Sequence, residues 1–187
     1  MYTPPSIQRK TQHEKLVMLG ETCVGKSCIL MNFIHNETTD LSEPTIGAAF
    51  MSKKVDTSNG KSVCLEIWDT AGQERYKSLA PMYYRAATSA IIALDVTNIE
   101  SFLTAKKWAA EITQRGESDC HLVFAVNKTD IPKSQWKYTL NDVESYLVEL
   151  RKDTGKNIPL YSTSAKTDTK TIVKMFTDIA EVMSTKS

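Results

Sequence analysis

The sequence predicts a three-layer α/β domain: a six-stranded, mostly parallel sheet with one antiparallel edge strand and about five helices. Three observations carry this. Apolar runs of strand length alternate with segments of helical periodicity along nearly the whole chain. Such alternation builds a parallel sheet with helices on both faces and right-handed crossovers. A single Asn59-Gly60 pair separates two adjacent strand candidates, and Asn-Gly is a strong short-range hairpin signal. Residues 89–96 (SAIIALDV) form an apolar run, as expected of a strand buried on both faces.

The elements follow in order. Residues 1–14 read as a polar, flexible lead, where Pro4-Pro5 argues against a helix. Residues 15–19 are the first strand and 25–35 the first helix; 36–43 are polar and aperiodic, hence a loop. Residues 47–56 and 61–69 are the hairpin strands, and in the second Val63, Leu65 and Ile67 alternate with Ser62, Cys64 and Glu66. Residues 71–85 begin irregularly and end in a short helix. After the buried strand 89–96 comes a helix over 101–115, with Phe102, Ala105, Trp108, Ala109 and Ile112 on one face. Residues 122–126 are the next strand and 132–136 a loop. Residues 141–153 are a helix, with Asn141 as its N-cap and Gly155 past its end. A short strand at 160–163 precedes an amphipathic helix at 169–183.

The chain of 187 residues suits one domain with a sizeable core, here placed at 15–185 with a two-residue tail. Its 23 Lys+Arg balance 22 Asp+Glu, which argues against nucleic-acid binding through bulk charge. Cys23, Cys28, Cys64 and Cys120 show no metal-ligand spacing, and a reduced compartment is the simpler reading. No apolar run reaches membrane-spanning length and no signal peptide is visible.

The chemistry clusters at strand ends. Gly20-Glu21-Thr22-Cys23-Val24-Gly25-Lys26-Ser27 has the form G-x-x-x-x-G-K-[ST] between a strand and a helix, with Cys28 following. There the glycines relieve backbone constraints and inward N–H groups form an anion nest. The helix start adds its unpaired N–H groups, so the loop reads as a phosphate cradle. Lys26 is expected on the β- and γ-phosphates and the Ser27 hydroxyl on Mg²⁺. Asp69 closes the third strand, placed to hold Mg²⁺ through water. Gly72 follows with an N–H for a γ-phosphate, and Gln73 with an amide able to orient a water. Asn127-Lys128-Thr129-Asp130 closes the fifth strand, where the Asp130 carboxylate can accept the paired N–H donors of guanine that adenine lacks. Ser164-Ala165-Lys166 closes the sixth, where a backbone N–H can reach the guanine O6. Thr45 is, on its own, a loop threonine, though it can complete a Mg²⁺ shell once a γ-phosphate is present. The segment 132–138 matches no motif.

Together Gly20 to Ser27, Thr45, Asp69 to Gln73, Asn127 to Asp130 and Ser164 to Lys166 resemble a small GTPase of the Ras superfamily, over about residues 15–185. The wording Ile46-Gly47-Ala48-Ala49-Phe50, Trp68-Asp69-Thr70-Ala71-Gly72-Gln73-Glu74-Arg75-Tyr76 and Leu79-Ala80-Pro81-Met82-Tyr83-Tyr84-Arg85 resembles the Rab branch, closest to the early-endosomal Rabs. The resemblance implies the P-loop GTPase fold and a GDP/GTP switch in vesicle traffic. It implies an exchange factor, a GTPase-activating protein and GTP-dependent effectors, and a monomer. It implies an effector patch of Ile46 with the aromatics Phe50, Trp68 and Tyr83, for which core packing is the other reading. A nucleotide kinase is argued against by residues 127–130; a nucleotide-holding adaptor without turnover is argued against by Gly72 and Gln73 but kept open by Thr22 and Thr38.

The sequence departs from the family in three places. Thr22 and Cys23 stand where some members carry glycines. Thr38 aligns where an aromatic often packs on guanine, so a looser first switch and faster nucleotide release are expected. The last cysteine is Cys120, so membrane contact is expected only through a lipidated tail that the chain as given lacks.

Overall fold

The computed structural model describes residues 11–36, 45–71 and 80–186. Six strands form one sheet in the order β2-β3-β1-β4-β5-β6. They are β1 (Gln12–Leu19), β2 (Ala48–Asp56), β3 (Ser62–Thr70), β4 (Ser89–Asp95), β5 (His121–Asn127) and β6 (Leu160–Ser162). Only β2–β3 is antiparallel, so the mostly parallel sheet with one antiparallel edge stands as expected. The helices are α1 (Lys26–His35), α2 (Ala80–Tyr84), α3 (Ile99–Arg115), α4 (Leu140–Thr154) and α5 (Thr169–Thr185).

The period of two along a strand sends neighbouring side chains to opposite faces. In β1, Leu16 and Met18 join Ile29, Leu30 and Phe33 of α1 and Phe176 and Ile179 of α5. Val17 and Leu19 join Phe102, Trp108 and Ile112 of α3 and Val143 and Leu147 of α4. On the first face the rings of Phe33 and Phe176 stack with centroids 4.0 Å apart, pinning α1 to α5. The hairpin closes through the Thr57 N–H donating to the Lys61 carbonyl at 2.9 Å, next to the Asn-Gly pair. Among the described residues no helix is long and apolar enough to cross a membrane.

Several element ends shift by one to three residues from expectation, and three local differences stand out. β1 starts at Gln12 rather than residue 15, because Gln12, His13 and Glu14 pair in register with Val63, Cys64 and Leu65 of β3. The segment 132–136 contains a 3-10 turn, Lys133–Gln135. The cap of α4 is Thr139, not Asn141, which lies within the first turn. The Thr139 hydroxyl accepts from the Asp142 N–H at 3.2 Å, and the Asp142 carboxylate accepts from the Thr139 N–H at 2.7 Å. This reciprocal capping box satisfies two orphan donors at once, and the same contacts hold the Asp142 carboxyl below its ordinary range. Thr139→Ala is therefore expected to cost about 1 kcal/mol in urea unfolding, and Asn141→Ala close to nothing; equal effects would restore Asn141 as the cap.

Candidate functional site

Parallel pairing of β1 with β3 and β4, and of β4 with β5, sets the carboxyl ends of these strands side by side. Ligands of open α/β sheets bind at that edge. The loop after β1 turns on two glycines. Gly20 has φ +143°, and a Cβ there would lie 2.4 Å from the Ala93 carbonyl oxygen. Gly25 has φ +97°, and its Cβ would lie 2.4 Å from Asn127 Nδ2. Between them Cys23 is left-handed and exposed, and Val24 is fully buried. Glu21 faces away from the loop, accepting from the Thr104 hydroxyl of α3 at 2.8 Å and from the Thr22 N–H at 3.0 Å.

α1 begins with Gly25 at its N-cap and no side-chain cap. Its first N–H groups and its positive dipole end thus remain for an anion. Lys26 is buried and donates to the carbonyls of Gly20 and Glu21 at 3.1 and 2.9 Å. Burial lowers its pKa, and the negative charges of Asp69 and Glu21 oppose that. Cys28 follows, half-buried, on the first turn of the helix.

The three residues expected around Mg²⁺ converge. Ser27 Oγ lies 2.8 Å from Thr45 Oγ1 and donates to the Asp69 carboxylate, which Thr45 also approaches at 3.5 Å. Thr45 is thus more than a loop threonine. Burial raises the Asp69 pKa, opposed by the Ser27 hydroxyl, then Lys26 and Thr45. Asp69 Oδ1 is buried without a hydrogen-bond partner among the described residues. An orphaned carboxylate oxygen beside two hydroxyls is a hard oxygen set of the kind Mg²⁺ takes, so these residues fit the ion.

The base-side residues converge as well. Asn127 Nδ2 donates to the Val24 carbonyl at 2.8 Å, and its Oδ1 accepts from the Ala165 N–H at 3.0 Å. Lys128, left-handed at φ +65°, donates to the Cys23 carbonyl at 2.8 Å. The Asp130 carboxylate is exposed and accepts from Ser164 Oγ at 2.7 Å, while the Lys166 N–H donates back to that hydroxyl at 3.2 Å. A carboxylate is thereby oriented next to the 164–166 loop, as recognition of paired guanine donors requires.

Phe50 and Trp68 face each other across the hairpin, ring centroids 5.2 Å apart, and Trp68 meets Tyr83 at 5.9 Å. Phe50 is 52% exposed and Ile46 82%, whereas Trp68 and Tyr83 also pack on the core. Met82, not singled out from sequence, is exposed beside Tyr83. Gly72, Gln73 and Thr38 lie outside the described residues. Sequence reasoning also missed Asp95, whose carboxylate receives Lys128 Nζ at 2.5 Å. The available signal was a lone carboxylate at the end of an otherwise apolar strand.

A phosphate cradle at the end of β1, with a base-side cluster beside it, defines a P-loop nucleotide-binding domain. The chain belongs to the Ras family, whose family model matches residues 15–185, and its relatives are Rab5-type Rabs. GTP-binding protein ypt5 of Schizosaccharomyces pombe is 41% identical over 171 residues, 91% of this chain and 78% of that protein. Ras-related protein RABF2b of Arabidopsis thaliana is 43% identical over 171 residues, covering 91% and 81%. Ras-related protein Rab5 of Nicotiana tabacum is 42% identical over 167 residues, covering 89% and 79%.

Gly25→Ala combines positive-φ strain with a collision against Asn127. It is expected to speed GDP release at least tenfold, read from a fluorescent nucleotide. An unchanged release rate would mean that the Asn127 clamp does not govern the loop.

Proposed function

We propose that this chain is a guanine-nucleotide switch that binds GTP and GDP with Mg²⁺, hydrolyses GTP slowly, and regulates early-endosomal vesicle traffic through effectors bound in the GTP state. The observation that carries this is the meeting of Ser27, Thr45 and Asp69, with the orphaned Asp69 oxygen, beside an uncapped helix start. Relatives of Rab5 type support the endosomal reading.

The residues divide the work. The loop N–H groups from Glu21 to Cys28 and the Lys26 ammonium neutralise phosphate oxygens. Ser27, Thr45 and Asp69 hold Mg²⁺, which supplies further charge neutralisation on the phosphates. Asp130 selects guanine, supported by Asn127, Lys128 and the 164–166 loop. Thr45 and Gly72 sense the γ-phosphate, and loss of that group releases their loops. Gln73 orients the attacking water. A GTPase-activating protein supplies the missing positive charge, and an exchange factor empties the site. Ile46, Phe50, Trp68 and Tyr83 form the effector surface, a partly exposed patch of aromatic and aliphatic side chains of the kind interfaces centre on. The protein works as a monomer in the cytoplasm, and would cycle to the cytosolic face of endosomal membranes if the natural protein carries a lipidated tail.

Binding and phosphate-release assays test this directly. The purified chain is expected to retain GTP and GDP and reject ATP, with retention lost when EDTA removes Mg²⁺. Equal affinity for ATP would remove the guanine assignment. Gln73→Leu is expected to bind GTP normally yet lose stimulated hydrolysis; wild-type turnover with a partner GTPase-activating protein would overturn the role given to Gln73.

A further inference from the structure

The segment 132–138 is the one stretch that the nucleotide-binding reading leaves without a task, and the structure stitches it to the end of β4. The Lys137 N–H donates to the Val96 carbonyl at 2.9 Å, and Trp136 Nε1 donates to the Ile131 carbonyl at 2.8 Å. The buried Tyr138 packs on Phe102 with ring centroids 5.0 Å apart. Its hydroxyl donates to the Asp95 carbonyl at 2.8 Å. Ser101, fully buried, holds the same residue from α3: its hydroxyl donates to the Asp95 carbonyl at 3.0 Å and accepts from the Asp95 N–H at 3.0 Å.

Asp95 is thus fixed through its backbone by Tyr138 and Ser101, and its side chain faces the nucleotide loops. Oδ1 accepts from the Thr97 N–H and hydroxyl at 2.9 and 2.7 Å. Oδ2 takes Lys128 Nζ, which at the same time reaches the Cys23 carbonyl. A continuous polar chain therefore runs from Tyr138 through Asp95 and Lys128 to the phosphate loop. Asp95 is buried and Lys128 two-thirds buried, so the pair is screened less than a surface ion pair. Burial, chiefly, pushes the Tyr138 phenol up to about 12, so it remains a donor throughout the working pH range.

We infer that Tyr138 is a positioning residue for nucleotide retention: its hydroxyl fixes Asp95, and Asp95 holds Lys128 against the phosphate loop and the base-side cluster. This rests on the guanine-nucleotide reading of Lys128. Tyr138→Phe removes the hydroxyl and keeps the ring on Phe102. It is expected to speed release of a fluorescent GDP about fivefold, the kinetic equivalent of one net hydrogen bond. Asp95→Asn is expected to speed it more. Tyr161→Phe removes another hydroxyl bond, to Asp178, one that shares no residue with this chain of contacts, and is expected to leave release unchanged.

The decisive measurement is the double variant. If Tyr138 acts through Lys128, Tyr138→Phe adds nothing to release in a Lys128→Ala background. Equal acceleration in both backgrounds, or acceleration that merely tracks a lowered Tm and appears in Tyr161→Phe too, would overturn the inference. So would Tyr138→Phe release at the wild-type rate while Lys128→Ala is fast. Should Lys128→Ala itself release GDP at the wild-type rate, the base-side reading falls first, and the positioning role falls with it.

Discussion

One carboxamide holds the nucleotide edge together. Asn127 spends its donor on the Val24 carbonyl and its acceptor on the Ala165 N–H, so it joins three loops that are distant in sequence. The group is buried, and leaving either end unpaired would cost about 1–3 kcal/mol. The constraint propagates. With Nδ2 fixed on the phosphate loop, no side-chain carbon fits at position 25, and the loop must pass there in a left-handed conformation. The helix that follows accordingly begins on a glycine without a side-chain cap, which leaves its N–H groups for phosphate.

The same edge concentrates buried charge. Lys26 and Asp69 are both withdrawn from water, and burial moves their titrations in opposite directions, each toward the neutral form. Such burial opposes folding unless partners repay it. Here the partners are incomplete: Lys26 makes do with two loop carbonyls, and one Asp69 oxygen has no partner among the described residues. An anion and a divalent cation would each add a partner of opposite charge to these buried groups. Bound there, the two ligands would stabilise the folded chain through groups whose burial opposes folding.

The architecture was legible because it rests on local patterns. The alternation in β3 and the unbroken apolar run of β4 follow from which faces are covered, and the hairpin from Asn59-Gly60. The phosphate loop and base-side residues were legible because each carries its chemistry in a short motif. What stayed hidden depends on partners in space. β1 extends back to Gln12 only because β3 offers it a pairing edge. Thr139 and Asn141 are both good caps, and Asp142 decides between them by closing the box from three residues beyond Thr139. Asp95 reads as a strand residue until Lys128 arrives from 33 positions later. Gly72, Gln73 and Thr38 lie outside the described residues, so their assignments rest on the sequence alone.

The β2–β3 hairpin links Thr45 and Asp69 to the ring cluster of Phe50, Trp68 and Tyr83 through the backbone. In register, Ala49 pairs with Asp69 and Phe50 with Trp68, and the Ala71 N–H donates to the Gly47 carbonyl at 2.8 Å beyond the last rung. Alternation sends Asp69 and Trp68 to opposite faces of one strand. Asp69 therefore turns toward Ser27 on one face while Trp68 turns to the other, toward Phe50 and Tyr83. Thr45 and Phe50 are five residues apart, a span of at most about 17 Å even when extended. A displacement of Thr45 from Ser27 and Asp69 must be absorbed within that short span, which carries the exposed side chains of Ile46 and Phe50. Asp69 and Trp68 are adjacent residues of β3, so a single peptide unit joins the Ser27–Thr45–Asp69 cluster to the rings of Phe50, Trp68 and Tyr83.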